Sequence, residues 1–144
     1  MGRLSEAEAL SREAYEANRR ARGDDHPDTL AAMHDLAWLL RAQDKLDEAE
    51  SLFRECLRGS SAKLGAHHLI TLRAQAGLAG VLLARKDFAG AEDLLVSALQ
   101  EATAQGSNGA VLVHEVKLQL RDLYRAWHAA DPMAGHDRQA AELE

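Results

Sequence analysis

Along this chain, apolar and small residues recur three and four positions apart in paired stretches, the spacing of one helical face turned toward a core. The pattern itself recurs. His26-Pro27-Asp28-Thr29-Leu30 is matched forty-two residues later by His68-Leu69-Ile70-Thr71-Leu72, and the same shift carries Leu36-Ala37 onto Leu78-Ala79 and Leu40 onto Leu82. It also carries Ala49-Glu50 onto Ala91-Glu92, Leu52 onto Leu94 and Leu57 onto Leu99. Run backwards, it lays Leu4, Ala7-Glu8, Leu10 and Ala14 on Leu46, Ala49-Glu50, Leu52 and Cys56; run forwards, it gives Leu120 and Tyr124 for Leu78 and Leu82. The chain therefore opens in the second half of a unit and closes in a third unit that fades.

Breaks at Gln43-Asp44, Arg85-Lys86 and the glycine-bearing loops divide the pattern into six predicted helices near 3–21, 27–43, 46–62, 69–85, 88–104 and 109–129, with a short one after Pro132. Gly23, Gly65 and Gly106 stand where helices end and Pro27 where one begins. The expected architecture is all-α, a right-handed superhelix of antiparallel hairpins. A half unit occupies 3–22, full units 23–64 and 65–106, and a capping helix 109–129, together a repeat domain over 1–129 followed by a tail over 130–144. Ala37 and Ala79 on first helices, with Ala49 and Ala91 on second helices, let the paired backbones approach. Leu36, Leu40, Leu46, Leu52 and Phe53 then fill the space between hairpins, and stacking supplies stability that no single hairpin can.

These residues resemble the tetratricopeptide repeat in its forty-two-residue, kinesin-light-chain-like form. The segments that carry the resemblance are Gly23 to Leu30, His34-Asp35-Leu36-Ala37 and Lys45-Leu46-Asp47-Glu48-Ala49-Glu50, and it extends over residues 4 to about 129. It implies that first helices line a concave face and that their inward positions meet a ligand. Those positions are Ala31, His34, Trp38 and Arg41, then Arg73, Ala76, Gly80 and Leu83, then Glu115, Leu118, Asp122 and Arg125. The chosen partner-binding set is His34, Trp38, Arg41, Arg73, Gly80, Asp122 and Arg125. Trp38 and Gly80 are equivalents, and a large flat side chain beside none makes a step for a partner's apolar group, unless Trp38 simply lies over Gly80. Arg41, Arg73 and Arg125 can pair with acidic groups on a partner, although solvated arginines are commoner, and Glu115 and Asp122 make the face mixed in sign.

Three departures from the family pattern stand out. The paired asparagines that often hold a peptide backbone are here His34-Asp35, Ala76-Gly77 and Gln119, and the Lys and Asn set that grips a terminal carboxylate in chaperone-binding members is missing. Arg121 takes the place of Ala37 and Ala79. A guanidinium trapped at a tight crossing costs several kcal/mol without a partner, so no full second helix is expected against it.

Composition removes other classes. Seventeen Lys and Arg against 23 Asp and Glu leave a formal charge of −6 with no basic stripe, so nucleic acid is not an expected partner. The single Cys56 excludes an internal disulfide, no apolar run suits a bilayer, and the amphipathic start at Met1-Gly2-Arg3 is not a signal segment, so a cytoplasmic setting is expected. The closing Leu143-Glu144 has the form of a cloning scar, which would make this a piece of a longer protein. His26 and His68 belong to the loop motif, His67 is a neighbour, and His34, His114, His128 and His136 are dispersed, so no metal site and no cofactor are expected. Cys56 reads as a small core filler, and nothing in the chain has the spacing of a catalytic set. The expected function is to bind a protein or peptide on the concave face. The alternatives are a homodimer or structural scaffold formed through the exposed N-terminal helix, and a regulatory arm of a larger signalling protein.

Overall fold

The computed structural model describes residues 2–144. Among the described residues seven α-helices succeed one another: α1 (Gly2–Arg22), α2 (Pro27–Ala42), α3 (Leu46–Lys63), α4 (Leu69–Ala84), α5 (Phe88–Ala104), α6 (Ala110–Ala130) and α7 (His136–Ala141). Turns of 3₁₀ helix at Gly106–Gly109 and Pro132–Ala134 precede the last two. There is no strand among the described residues. The six long helices begin and end within one residue of the bounds expected from the pattern, and the short one after Pro132 is α7.

Local chemistry explains the bounds. His26 and His68 are N-caps: their Nδ1 atoms accept from the backbone N–H groups of Asp28 and Ile70 at 3.1 and 3.2 Å, satisfying donors that a helix start leaves free. The turn inside each hairpin places Asp44 and Lys86, forty-two residues apart, at φ of 61° and 63°, and Lys45 and Asp87 donate their backbone N–H to the carbonyls of Leu40 and Leu82. Gly65, at φ 95°, closes the loop before α4 in a conformation that residues with a Cβ rarely adopt.

Each helix packs against the next, and α2 with α4 and α4 with α6 also touch, so the first helices form one row. Ala37, Ala49, Ala79 and Ala91 are fully buried, as tight crossings require. Two hydrophobic clusters result, and α4 belongs to both: Ala74, Leu78 and Val81 join Leu30, Leu40 and Phe53 on one side, while Leu72, Ala79 and Leu82 join Leu95, Val116 and Leu123 on the other. Gly77 matters here, because a Cβ would lie 2.2 Å from the Phe53 ring. Cys56 is buried in the first cluster, its Sγ 3.3 Å from the Leu30 carbonyl oxygen, and burial pushes its thiol up to about 12.

The repeat also spaces charges along the outer edge. Glu8, Glu50 and Glu92 are equivalent positions, and each reaches the following unit. Glu8 accepts from Lys45 at 2.6 Å, Gln43 at 2.8 Å and Arg12 at 2.9 Å, and these donors hold its carboxyl down to about 2. Glu50 meets Arg54 at 2.8 Å and Arg85 at 3.1 Å, and Glu92 accepts from the Tyr124 hydroxyl at 2.6 Å.

The two ends differ. On α1, Leu4 and Leu10 stay 39% and 68% exposed, whereas their equivalents Leu46 and Leu52 are partly buried against the first cluster. At the other end the tail folds back on α6. Ala140 is buried there, and the His136 ring lies 4.0 Å from Trp127, which itself stacks on Phe88 at 5.6 Å. Arg121 turns to its neighbour Asp122 at 3.1 Å, and the helix beyond Pro132 is the six-residue α7 rather than a full second helix.

Candidate functional site

The row of first helices, α2, α4 and α6, lines two adjoining hollows. The larger, about 220 Å³, is walled by His34, Trp38 and Arg41 of α2, by Arg73, Ala76 and Gly77 of α4, and by Leu112, Glu115 and Gln119 of α6. The smaller, about 160 Å³, lies further along the row, between Arg41, Ala79, Gly80 and Leu83 on one side and Gln119 and Asp122 on the other, with Leu95 of α5 at its base. Arg41 and Gln119 belong to both. Six of the seven residues selected from the sequence thus meet on this surface: His34, Trp38, Arg41 and Arg73 in the first hollow, Arg41, Gly80 and Asp122 in the second.

Arg125 does not join them. Its guanidinium forms an ion pair with the Glu144 carboxylate of the folded-back tail. The sequence could place Arg125 in register with Arg41 and Leu83, but it carried no signal that the tail would return to it.

The pairing of Trp38 with Gly80 needs correction. What lies on Gly80 is Arg41: a Cβ there would come within 1.7 Å of its Nη1 atom. The reason is the direction of helical side chains, which lean toward the helix N-terminus, so a long side chain covers a level earlier than its own Cα. Trp38 is left 48% exposed beside the hollow rather than folded over the glycine. It remains a broad apolar wall.

The polar groups here are unequally satisfied. His34 lies 3.3 Å through Nδ1 from Asp35 and edge-on to the Phe53 ring at 5.7 Å. Arg73 is exposed. Arg41 is half-buried and has no carboxylate within ion-pair distance among the described residues, and burial pulls its pKa down from the usual guanidinium value. Across the hollows, the side-chain oxygen of Gln119 is buried without a hydrogen-bond partner. The mixed sign expected for this face is present, with Glu115 in the first hollow and Asp122 in the second.

Reading by repeat missed the aromatic column at the tail. Trp127 continues the buried face of Leu120, Leu123 and Tyr124 at helical spacing, which is the signal that could have found it. Among the described residues, no group of three or more His, Cys, Asp or Glu is placed to hold a metal ion, and no helix is long and apolar enough to cross a membrane.

Known proteins share both the sequence pattern and the fold. A family model described as tetratricopeptide repeat matches twice, over residues 1–62 and 40–102. No curated protein matches by sequence. A solved structure of a Podosopora anserina protein named as a kinesin light chain, with nearly identical TPR-like repeats, superposes with a TM-score of 0.79 at 23% identity, covering 99% of this chain and 64% of that one. BtubC (BKLC) from P. vanneervenii is similar with a TM-score of 0.79 at 14% identity, covering 99% of this chain and 57% of that one. The chain therefore spans less than two thirds of the length of either protein.

Proposed function

The chain belongs to the tetratricopeptide repeat family, whose fold serves protein–protein interaction, and from that premise we propose that it binds a peptide segment or partner domain on the face formed by α2, α4 and α6. One observation carries the reading: His34, Trp38, Arg41 and Arg73 converge on a single hollow, with Trp38 half exposed as an apolar wall. Aromatic and arginine side chains are the usual anchors of interfaces. Held on packed helices, they are in place before a partner arrives, which lowers the ordering cost of binding. In this reading residues 1–129 are the repeat domain, α6 closes the stack as a polar cap, and 130–144 is its docked tail.

Peptides selected from a random displayed library against the full chain test it. Selected peptides should bind Trp38→Ala at least about tenfold more weakly than the parent, a loss of roughly 1.4 kcal/mol, with unchanged helicity by circular dichroism. Equal affinity for Trp38→Ala and His34→Ala would remove this face as the site.

The exposed Leu4 and Leu10 on α1 favour a second reading, self-association through that helix. Light scattering over a concentration series separates the two. A constant mass near 15.7 kDa leaves peptide binding in front. A dimer lost in Leu10→Glu puts self-association ahead.

A further inference from the structure

Arg41 reaches back along α2, and its guanidinium lies on the bare backbone of Gly80 in α4, where a Cβ would come within 1.7 Å of Nη1. It is half-buried, and no carboxylate among the described residues is within ion-pair distance of it. Gly80 marks a level of the repeat: Trp38, Gly80 and Asp122 succeed one another at forty-two residues on α2, α4 and α6. The head of Arg41 has therefore already crossed from its own helix to the middle one, at the level where the next side chain in the row is Asp122. Arg41, Gly80 and Asp122 line one hollow of about 160 Å³, with Gln119 beside them. Glu115, the other acid of this face, stands in the neighbouring hollow at the level of Arg73, about two helical turns away.

Helix α6 offers two acceptors to this space. Gln119 and Asp122 are three residues apart and share a helix face. The Gln119 side-chain oxygen is buried without a hydrogen-bond partner among the described residues. Asp122 is engaged through Oδ1 by the Nε and Nη2 atoms of Arg121, at 3.2 and 3.1 Å. Successive residues of a helix do not face each other, and these side chains are 27% and 58% exposed, so the contact is readily given up. A half-buried cation without a counter-ion and a buried oxygen without a donor are each unfavourable. New rotamers at Arg41 and Asp122 relieve both, because one guanidinium carries enough N–H donors to serve a carboxylate and a carbonyl oxygen together.

We propose that Arg41 and Asp122 are the two halves of a latch that closes over Gly80, with Gln119 as its second acceptor, and that the structure shows its open state. Closed, it ties the first unit to the third across the middle one and fills the second hollow with the chain's own groups, so a partner seating there must part it. The latch needs no partner to form; its role as a gate rests on the inner face being the binding surface. Open to water on one side, it is balanced rather than locked, closed about half of the time, as the small energies of such pairs dictate.

The test follows the Arg41 Nε–Hε group by ¹⁵N NMR in the full chain with no partner added. Closure half of the time should make its proton exchange with water about twofold slower in the parent than in Asp122→Ala at low salt. In about 1 M salt, which screens charges beyond roughly 3 Å, the two should coincide. Gly80→Ala puts a methyl group in the crossing and should abolish the difference at low salt too, while Arg73, at the other level, should not respond to Asp122→Ala. Equal exchange at Arg41 in parent and Asp122→Ala overturns the latch, as does a difference that persists in Gly80→Ala or is shared by Arg73. The gate is read with the library-selected peptides, which should bind Asp122→Ala about twofold more tightly because no closed state has to be opened first. Equal or weaker binding there overturns the gate. An Arg41 signal that ignores Asp122 while binding still depends on Trp38 sinks the latch and leaves the inner-face reading standing; an Arg41 signal that depends on Asp122 while binding ignores Trp38 does the reverse.

Discussion

At the outer edge of the stack, where each second helix meets the following unit, the equivalent Glu8, Glu50 and Glu92 are each held by donors from the next unit. On the inner face, Arg41 and Gln119 of the same repeat architecture are left without partners. Both regions set polar groups beside packed apolar helices, so composition does not distinguish them. Pairing does at these positions: among the described residues the three equivalent glutamates are satisfied, whereas the Arg41 guanidinium and the Gln119 side-chain oxygen are not, and Thr29 Oγ1, Gln75 Oε1 and His128 Nδ1 are likewise buried without partners elsewhere in the stack.

The largest effect expected is at the floor of the inner face. Gly77→Ala drives a Cβ into the rigid Phe53 ring; overpacking should outweigh the gain in helix propensity and cost about 1–2 kcal/mol net, read as a lower urea midpoint. A rise in stability would show that the ring is free to move and that this floor is not preorganised.

Next comes Glu8→Gln at the outer edge, expected to cost about 1 kcal/mol at neutral pH, because Lys45 and Arg12 remain 46% and 43% exposed. The Glu8 carboxyl is held below its ordinary 4.5, at about 2, so its contribution is complete above about 4.5 and is lost as pH falls toward about 2. Urea titrations of parent and variant should therefore differ at pH 7 and converge near pH 2. A constant difference across that window would contradict the charged hub.

Smaller again is Gly80→Ala. What a Cβ meets there is the flexible end of Arg41, so the guanidinium moves aside and the helix gains up to about 1 kcal/mol. Gly77 and Gly80 lie three residues apart on α4, yet the same substitution should change stability in opposite directions. Thermal midpoints of the two variants check it.

The smallest effect belongs to Arg41→Gln. Removing a half-buried cation that has no partner should leave stability within about 0.5 kcal/mol of the parent, in contrast to Glu8→Gln. A larger loss would place Arg41 among the groups that hold the fold.

Helix positions were legible because the forty-two-residue period is written in the residues that set backbone geometry: cap histidines, loop glycines and small residues at crossings. Membership of the inner row was legible for the same reason, since register fixes where a Cα lies. Which residue covers Gly80 was not, because Arg41 reaches back along the helix while Trp38 is the one in register. The fate of Arg125 was hidden too. It depends on a tail outside the repeat, whose docking rests on Ala140 and the His136–Trp127 stack rather than on a periodic face.

Helix α4 serves both hydrophobic clusters, and this bears on how the stack comes apart. In a linear array whose units touch only their neighbours, each half could in principle melt alone. Here the wall of one half is the wall of the other, so opening either side strips the shared helix of what holds it. The stack should therefore lose its order in a single step, with the amides of α4 the last to exchange with solvent.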